Sequence, residues 1–311
     1  MRPHITYSVV APIFNEVENI PRLYERLKKV MTGLRSSWEL ILVDDGSTDG
    51  STEAVRNLAR KDRRVRPVIF ARNFGHQIAI TAGWDYSRGD AVVIIDADLQ
   101  DPPEAIPELV KKWQTGFDVV YAVRAEREGE SWFKKLTASA FYRIIYRITD
   151  VKIPVDTGDF RLMDRRVVEV LKTMRERHRF PRGMSAWVGF RQIGVPYKRS
   201  SRLAGVTKYP FRKMLLLALN AITSFSYFPL QVATYFGFFS AGLSILAIPV
   251  VVYLRMAGIP QFTGQATTLI AVLFLGGIQL ISLGVLGEYI GRLYDEAKGR
   301  PLYIVSEAPK E

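Results

Sequence analysis

The most restrictive feature of the sequence is the distribution of charge along its C-terminal third. Met214 to Leu254 is a run of 41 residues without a charged side chain, and Arg255 is the only charged residue between Met214 and Gly287. A membrane-spanning helix needs about 20 apolar residues, so the first run is too long for one span. With Pro229 as the natural division, the sequence predicts an interfacial helix at 211–228, two spans within 229–291 (about 230–254 and 265–289) and a tail at 292–311.

Basic residues flank the two predicted spans on their outer sides. The flanking residues are Arg212 and Lys213 before the first span and Arg292, Lys298 and Arg300 after the second. By the positive-inside rule, both flanks stay in the cytoplasm. Residues 1–20 lack the basic start and apolar core of a secretory signal. We therefore predict a multi-pass protein of the inner (plasma) membrane, with its N-terminal domain and both termini in the cytoplasm.

The first 210 residues alternate between apolar strand patterns and helical patterns. The predicted strands are Tyr7–Ile13, Trp38–Val43, Val65–Phe70, Ala91–Ile95, Phe117–Val123 and a short strand at Phe160–Met163. Strands that are apolar throughout are typical of a parallel sheet covered by helices on both faces. The sequence therefore predicts a Rossmann-like α/β domain over residues 1–210, with a mostly parallel sheet.

Several classes of protein are excluded by what the sequence lacks. No G-x-G-x-x-G follows the first strand and no G-x-x-x-x-G-K-[ST] is present, which argues against a dinucleotide-binding enzyme and a P-loop NTPase. The absence of cysteine excludes disulfides and thiolate metal sites. The net charge of +12 fits nucleic acid, anionic lipid or phosphorylated substrates. No RNA-binding motif or recognition helix accompanies the basic residues, so we expect no nucleic-acid partner.

Acidic side chains follow three of the predicted strands. Glu16 follows the first strand, Asp44 and Asp45 the second, and Asp96 and Asp98 the fourth. The carboxyl ends of parallel strands are where open α/β sheets bind ligands. Because only oxygen ligands are present in Asp96–Asp101, this stretch suits Mg²⁺ or Mn²⁺ shared with substrate phosphates. The alternative is a set of ordinary acidic turns, since Asp favours such turns.

Five segments of the sequence, taken together, resemble a known family. They are APIFNE (11–16), ELILVDDGSTDGS (39–51), ARNFGHQIAITAGWDYSRGD (71–90), DADLQDPPE (96–104) and GDFRLMDR (158–165). Their order resembles the nucleotide-sugar-binding domain of family 2 glycosyltransferases. The branch it resembles includes dolichol-phosphate mannosyltransferases and bacterial polyprenyl-phosphate glucosyltransferases of the bactoprenol type. The resemblance implies a GT-A fold followed by a two-helix transmembrane anchor.

The resemblance also implies roles for residues in the donor site. Nucleotide contacts are implied for Pro12, Phe14, Glu16, one of Asp44 or Asp45, Asn73 and Asp96. Asp96 and Asp98 form the family's D-x-D, which binds ribose, diphosphate and a metal ion, with Gln100 as a further metal ligand. A divalent ion there would stabilise the negative charge that develops on the departing nucleoside diphosphate.

A second group of residues is implied on the acceptor side. Asp156 and Asp159 are the candidates for a catalytic base, yet a lipid monophosphate with a second pKa of about 6 is already largely dianionic at neutral pH. Either residue would then orient the acceptor more than deprotonate it. Arg124 and Arg127 are implied in phosphate binding, and Arg202 and Lys208 lie in an R-x-x-G-x-T-K segment that resembles a mobile loop closing over phosphates. Ten basic residues and no acid lie between Arg177 and Lys213, which is also the pattern of a solvated basic face.

The resulting prediction is a metal-dependent, inverting hexosyltransferase. It would move glucose from UDP-glucose to a polyprenyl (undecaprenyl-type) monophosphate at the cytoplasmic face of the membrane, in contact with membrane lipids. Glycines such as Gly284 and Gly291 in the second span would allow a homo-oligomer. One alternative is a processive polysaccharide synthase, against which the sequence has no Q-x-x-R-W. The other alternative is a non-catalytic scaffold. The presence of Asp96, Asp98 and Asp159 argues against it, because a protein that has lost catalysis usually loses such groups.

Overall fold

The computed structural model describes residues 4–124, 157–198, 226, 228–257 and 265–309. These residues fall into two compact units. The sheet unit contains the described residues up to 198 together with residues 300–309, and the helix unit contains the remainder. The predicted interfacial helix at 211–228 lies outside the described residues apart from Ser226 and Phe228.

The sheet unit is built on one sheet of eight strands. In chain order they are β1 (Tyr7–Ile13), β2 (Trp38–Asp44), β3 (Val65–Phe70), β4 (Ala91–Ile94), β5 (Val119–Arg124), β6 (Thr157–Asp164), β7 (Gln192–Tyr197) and β8 (Val305–Glu307). Their spatial order is β7-β5-β6-β4-β1-β2-β3-β8. The helices are α1 (Asn19–Gly33), α2 (Ser51–Lys61), α3 (His76–Tyr86), α4 (Ile106–Gln114), α5 (Arg165–Thr173) and α6 (Pro181–Trp187).

The parallel centre of the sheet forms as the apolar strand patterns predict. β4, β1, β2 and β3 are parallel neighbours, with Val9 of β1 aligned to Leu40 of β2 and to Val93 of β4. All three side chains are fully buried. Helix α1 covers this centre with Ile20, Leu23, Leu27 and Met31, whose spacing puts them on one helix face. The predicted α/β class is thus confirmed.

Strand β6 enters the sheet in the reverse direction. It lies antiparallel between β4 and β5, with Ile94 aligned to Arg161. The sequence predicts only a short strand at Phe160–Met163 here, without its direction. Because β6 is antiparallel, its amino-terminal end, which carries Asp159, lies beside the carboxyl end of β4. Residues distant in sequence therefore meet at one edge of the sheet.

The C-terminal residues differ from the separate tail predicted at 292–311. Strand β8 pairs antiparallel with β3 and completes one edge of the sheet. Residues 300–309 thus belong to the sheet unit. A three-residue polar strand such as Val305–Glu307 has too little apolar pattern to be recognised from sequence.

The helix unit consists of two long apolar helices, α7 (Phe228–Met256) and α8 (Gln265–Ala297). Both contain segments long and apolar enough to cross a membrane, Phe228–Leu254 and Phe274–Ala297. The two predicted apolar helices are therefore present. Helix α8 extends beyond the predicted end at 289, and an ion pair between Glu288 and Arg292 spans one turn of this charged extension.

A partly buried carboxylate just after α2, that of Asp62, gives a first prediction, on stability. Asp62 accepts hydrogen bonds from Arg64 and from the hydroxyl of Tyr24, and the Arg64 bond is the main reason why the pKa of Asp62 falls to about 2. A depressed folded-state pKa stabilises the fold above the unfolded pKa, and this contribution disappears as the pH falls through about 2. Asp62→Asn should therefore destabilise the sheet unit by about 2 kcal/mol at pH 7 and far less at pH 2. Thermal unfolding of both proteins in detergent at the two pH values measures this, and equal destabilisation at both would contradict it.

Candidate active site

The loops after β1 and β2 are held together by direct hydrogen bonds. Ser47 Oγ accepts from the backbone N–H of Asn15 (3.0 Å), and Asn15 Oδ1 accepts from the N–H of Thr48 (2.9 Å). Ser51 Oγ accepts from the N–H of Glu16 at 2.9 Å. These bonds fix the two loops relative to each other at the carboxyl edge of the sheet, so this part of the edge is pre-organised for a ligand.

The two acids that end β2 are engaged by the protein itself. Asp44 is buried and accepts from the hydroxyl of Thr52. Asp45 is also buried, and its carboxylate accepts from the N–H groups of Phe74 (2.6 Å) and Gly75 (2.9 Å). Burial raises the pKa of Asp45, and these two N–H bonds oppose the rise. Asp45 thereby fastens the loop that follows β3 to the end of β2.

Close backbone approach completes the junction between these loops. A Cβ on Gly46, whose φ is +69°, would lie 2.6 Å from the carbonyl carbon of Arg72 and the nitrogen of Asn73. Only glycine fits there without displacing the neighbouring backbone. Asn73 Nδ2 donates to the backbone oxygen of Asp45 at 3.2 Å. The nucleotide contacts assigned to Asp44, Asp45 and Asn73 stay predictions, and the structure gives each of them a role in loop architecture.

The remaining predicted nucleotide contacts lie at the end of β1. Pro12 is buried within the strand, whereas the ring of Phe14 is 42 % exposed. The carboxylate of Glu16 accepts from Asn19 Nδ2 at 2.6 Å. An exposed ring at a strand end is suited to stacking on a nucleobase, so the structure is compatible with the predicted role of Phe14.

Asp96 lies just beyond the carboxyl end of β4 and is unusual in its surroundings. Its Oδ1 atom is buried and has no hydrogen-bond partner among the described residues. Burial raises the pKa of Asp96 to about 6, the charge of His76 opposes this, and the nearby charge of Asp159 adds to it. The neighbouring acid, Asp98, accepts from the backbone N–H of Gln100 at 3.1 Å.

His76 and Arg182 converge on Asp159. Arg182 donates through Nε to Oδ1 (2.8 Å) and through Nη2 to Oδ2 (3.2 Å). His76 Nε2 lies 3.3 Å from Asp159 Oδ2 and 3.5 Å from Asp96 Oδ1. The imidazole therefore stands between a carboxylate from the end of β4 and one from the start of β6.

These contacts set the protonation states of the cluster. Burial alone would lower the pKa of His76, but its hydrogen bond to Asp159 and the charges of Asp96 and Asp159 raise it to about 9. Burial alone would raise the pKa of Asp159, but the charge of Arg182 and the bonds from His76 and Arg182 hold it well below its ordinary value. Asp159 is consequently an ionised acceptor, and His76 is a cation at neutral pH.

The surroundings of Asp96 fit a divalent cation that is shared with a ligand. A buried carboxylate oxygen that accepts no hydrogen bond from the described residues is a suitable ligand for a hard cation, and Asp98 and Gln100 add further oxygen atoms nearby in the chain. Across the described part of the chain, however, no group of three or more His, Asp or Glu side chains is arranged to hold a metal ion. Oxygen atoms from a diphosphate would have to complete the coordination.

A second buried network lies beside the start of β6. The hydroxyl of Tyr197 donates to Oδ1 of the buried residue Asp101, and burial, followed by the charge of Asp101, raises the pKa of Tyr197. Arg124, at the end of β5, bonds to the same tyrosine. A Cβ on Gly158 would lie 3.3 Å from Arg124 Nη2. Arg124 therefore reaches the site edge as predicted from its strand-end position, and its role in phosphate binding stays a prediction.

Some predicted residues lie outside the described residues, and two residues of the cluster were missed. The undescribed ones are Asp156, Arg127, Arg202 and Lys208. His76 was missed although it belongs to a family-like segment at a strand end. Arg182 is missed because it falls within the ten basic residues between Arg177 and Lys213, a pattern that also fits a solvated basic face. Its position in Pro-Arg-Gly at the start of α6 was the available signal.

Comparison with known proteins identifies the family. Residues 8–172, which include the three interlocked loops, the D-x-D and Asp159, match the family described as glycosyl transferase family 2. The chain belongs to glycosyltransferase family 2. Residues 228–293 of this family 2 protein match a second family, described as the GtrB C-terminal hairpin, which covers α7 and most of α8. Both units thus have family relatives, and they occur in the predicted order.

Full-length relatives of this glycosyltransferase have the same extent. It is 52 % identical to the uncharacterized glycosyltransferase YkcC of Bacillus subtilis (strain 168), over 99 % of this chain and 95 % of the relative. It is 44 % identical to the SfII prophage-derived bactoprenol glucosyl transferase of Shigella flexneri, over 97 % of both chains. Among solved structures, glucosyl-3-phosphoglycerate synthase from Mycobacterium tuberculosis aligns with a TM-score of 0.48 and 22 % identity, over 70 % of this chain and 78 % of that chain.

Proposed function

We propose that this family 2 glycosyltransferase transfers glucose from UDP-glucose to a polyprenyl monophosphate, with inversion at the anomeric carbon. The observation that carries the proposal is the 44 % identity to a bactoprenol glucosyl transferase, which extends over the sheet unit and the apolar helices alike. A soluble donor and a lipid acceptor require a catalytic domain attached to a membrane anchor. The two units of this chain provide that combination.

The donor would occupy the edge formed by the loops after β1, β2 and β3. Phe14 would stack on the base, and Asp96 and Asp98, with Gln100, would hold Mg²⁺ or Mn²⁺ against the diphosphate. A bound divalent ion would act as a Lewis acid that stabilises the charge on departing UDP. The protein's own contribution is to orient the donor on pre-organised loops, which lowers the entropic part of the barrier.

The acceptor phosphate would act as the nucleophile. One of its oxygen atoms would form the new bond to the anomeric carbon, while the bond from that carbon to the β-phosphate oxygen breaks and its electron pair leaves with UDP. A phosphate with a second pKa of about 6 needs no base at neutral pH. Asp159, whose carboxylate is held by Arg182 and His76, would position these two cations rather than remove a proton.

The proposed location is the cytoplasmic face of the plasma membrane. Two spans return the chain to the side from which it entered, and residues 300–309 rejoin the sheet unit that precedes the spans. This connectivity supports the orientation that we infer from the positive-inside rule, with both termini on the cytoplasmic side. A homo-oligomer also remains a prediction.

The test is a transfer assay with the full-length protein purified in detergent. With Mn²⁺, UDP-glucose labelled in the sugar and undecaprenyl phosphate, we expect UDP release that depends on the acceptor and label that moves to the lipid. NMR of the product should show a β-glucosyl phosphate from the α-linked donor. Long polymer would favour the synthase alternative, and no UDP release with any common nucleotide sugar would favour the scaffold.

A further inference from the structure

The residues that follow the second apolar helix pack against the sheet rather than ending as a free tail. In this C-terminal segment, residues 300–309, Phe70 aligns with Val305 and Ile69 with Glu307. The N–H of Ala71, the first residue after β3, donates to the carbonyl of Ile304 at 2.9 Å. The segment therefore reaches the point at which β3 ends and the loop of residues 71–75 begins.

Tyr303 anchors the segment through both its aromatic ring and its hydroxyl group. The ring stacks on Phe70, with 5.1 Å between centroids and 19° between planes. Its hydroxyl donates to Asp85 Oδ2 at 2.7 Å, and Arg175 Nη1 donates to the same oxygen at 2.8 Å. A half-buried aromatic ring with a satisfied hydroxyl is held in one orientation, so Tyr303 provides a fixed support for Phe70.

The support continues from Phe70 into the candidate active site. Phe70 meets Phe74 edge to face, with centroids 5.6 Å apart. The N–H groups of Phe74 and Gly75 donate to Asp45, and the next residue is His76, which contacts Asp96 and Asp159. Two ring contacts, followed by the hydrogen bonds to Asp45, thus lead from the C-terminal segment to the residues at the carboxyl edge.

We infer that Tyr303 is a positioning residue for the donor site: through Phe70 and Phe74 it holds the loop of residues 71–75, and with it His76, for the sugar nucleotide. The identity of this ligand rests on the proposed function. The simpler alternative is that the segment only protects the edge of the sheet from pairing with another chain. In that case the ring of Tyr303 would matter for overall stability but not for the loop.

Hydrogen exchange and nucleotide binding on the full-length protein separate these two roles. Tyr303→Ala should speed exchange in peptides covering residues 71–76 by about tenfold, which is the expected effect of losing one aromatic contact on local opening. Exchange in β1 and β2 should stay at the wild-type rate. The KM for UDP-glucose and the Kd for UDP with Mn²⁺ should rise by about the same factor, because part of the binding free energy is then used to order the loop. The kcat should change little.

Two control variants test whether the ring of Tyr303, rather than its hydroxyl group or the rest of β8, supports the loop. Tyr303→Phe keeps the ring but removes the bond to Asp85, and it should retain most of the loop protection. Glu307→Ala removes a partly buried ion pair with Arg56 at the end of β8 that is farther from Tyr303, and it should leave loop exchange and KM unchanged.

Unchanged exchange at residues 71–76 in Tyr303→Ala, or an equal increase throughout the sheet, would overturn the inference. If the wild-type protein binds no UDP, the proposed function fails, whereas the exchange of the loop still decides whether Tyr303 positions it.

Discussion

Asp96→Asn is expected to reduce the rate of glucosyl transfer by roughly 10³-fold, because it removes the charge that would balance a divalent ion between protein and diphosphate. The carboxylate of Asp96 has a buried oxygen without a hydrogen-bond partner among the described residues. An asparagine keeps the shape of the side chain but offers a neutral amide oxygen, which binds a hard cation more weakly than a carboxylate does. Both kcat/KM for UDP-glucose and the affinity for Mn²⁺ in the presence of UDP should fall, and the second can be measured by electron paramagnetic resonance without turnover.

The same substitution should not destabilise the fold. Burial raises the pKa of Asp96 to about 6, so above that pH the ionised carboxylate lowers the stability of the folded protein. An uncharged asparagine removes this penalty, and the Tm at pH 7 should be unchanged or higher. Loss of activity with retained stability is the pattern expected of a functional site, where strained or uncompensated groups are kept for chemistry.

Asp62→Asn is the matched control for this experiment. It replaces another carboxylate in the sheet unit, but Asp62 is bonded to Arg64 and Tyr24 and takes no part in the candidate site. It should lower the Tm and leave the turnover per folded molecule near wild type. Substantial transfer by Asp96→Asn, or Mn²⁺ affinity equal to wild type, would contradict the assignment of Asp96.

The sequence predicts the parallel part of the fold because the pattern of the strands is decisive there. A run such as Val92–Ile95 is apolar on both faces, which suits only a strand buried between two helix layers. Since parallel strands end at one edge, the acids after β1, β2 and β4 could be placed together from sequence. The direction of β6 could not be predicted, because the residue pattern of a buried central strand is compatible with either direction. The meeting of Asp159 with Asp96 depends on that direction.

The cations of the site and the C-terminal strand escape sequence reasoning for a different reason. Arg182 is one of ten basic residues between Arg177 and Lys213, and nothing in their spacing marks Arg182 as a residue that binds a buried carboxylate. Tyr303 and β8 follow a long apolar helix, so the local pattern suggests a polar tail. Their role arises from pairing with β3, more than 200 residues earlier in the chain, and only tertiary structure reveals it.

The pair formed by Asp159 and Arg182 gives the second large effect. Asp159→Asn should lower kcat by at least 100-fold, because it releases Arg182 and His76 from their positions, and a small misplacement of such groups can cost about 100-fold in rate. If Asp159 acts through these cations, Arg182→Gln should cost nearly as much, and the double variant should be little worse than either single one. The measurement is a double-mutant cycle on kcat, with Arg191→Gln as a control in the same basic run.

The pH profile separates this positioning role from that of a base. Asp159 has a pKa held well below its ordinary value by Arg182 and His76, so it is already ionised throughout the usable range and contributes no acidic limb. An acidic limb near pH 6 should come from the acceptor phosphate and from Asp96, and it should persist in Asp159→Asn at a lower plateau. If Arg182→Gln instead kept nearly full turnover while Asp159→Asn lost both activity and this limb, Asp159 would have to act directly on the acceptor. The ion pair between Asp159 and Arg182 would then have no role in catalysis, because a positioning role requires both substitutions to lower kcat to a similar extent.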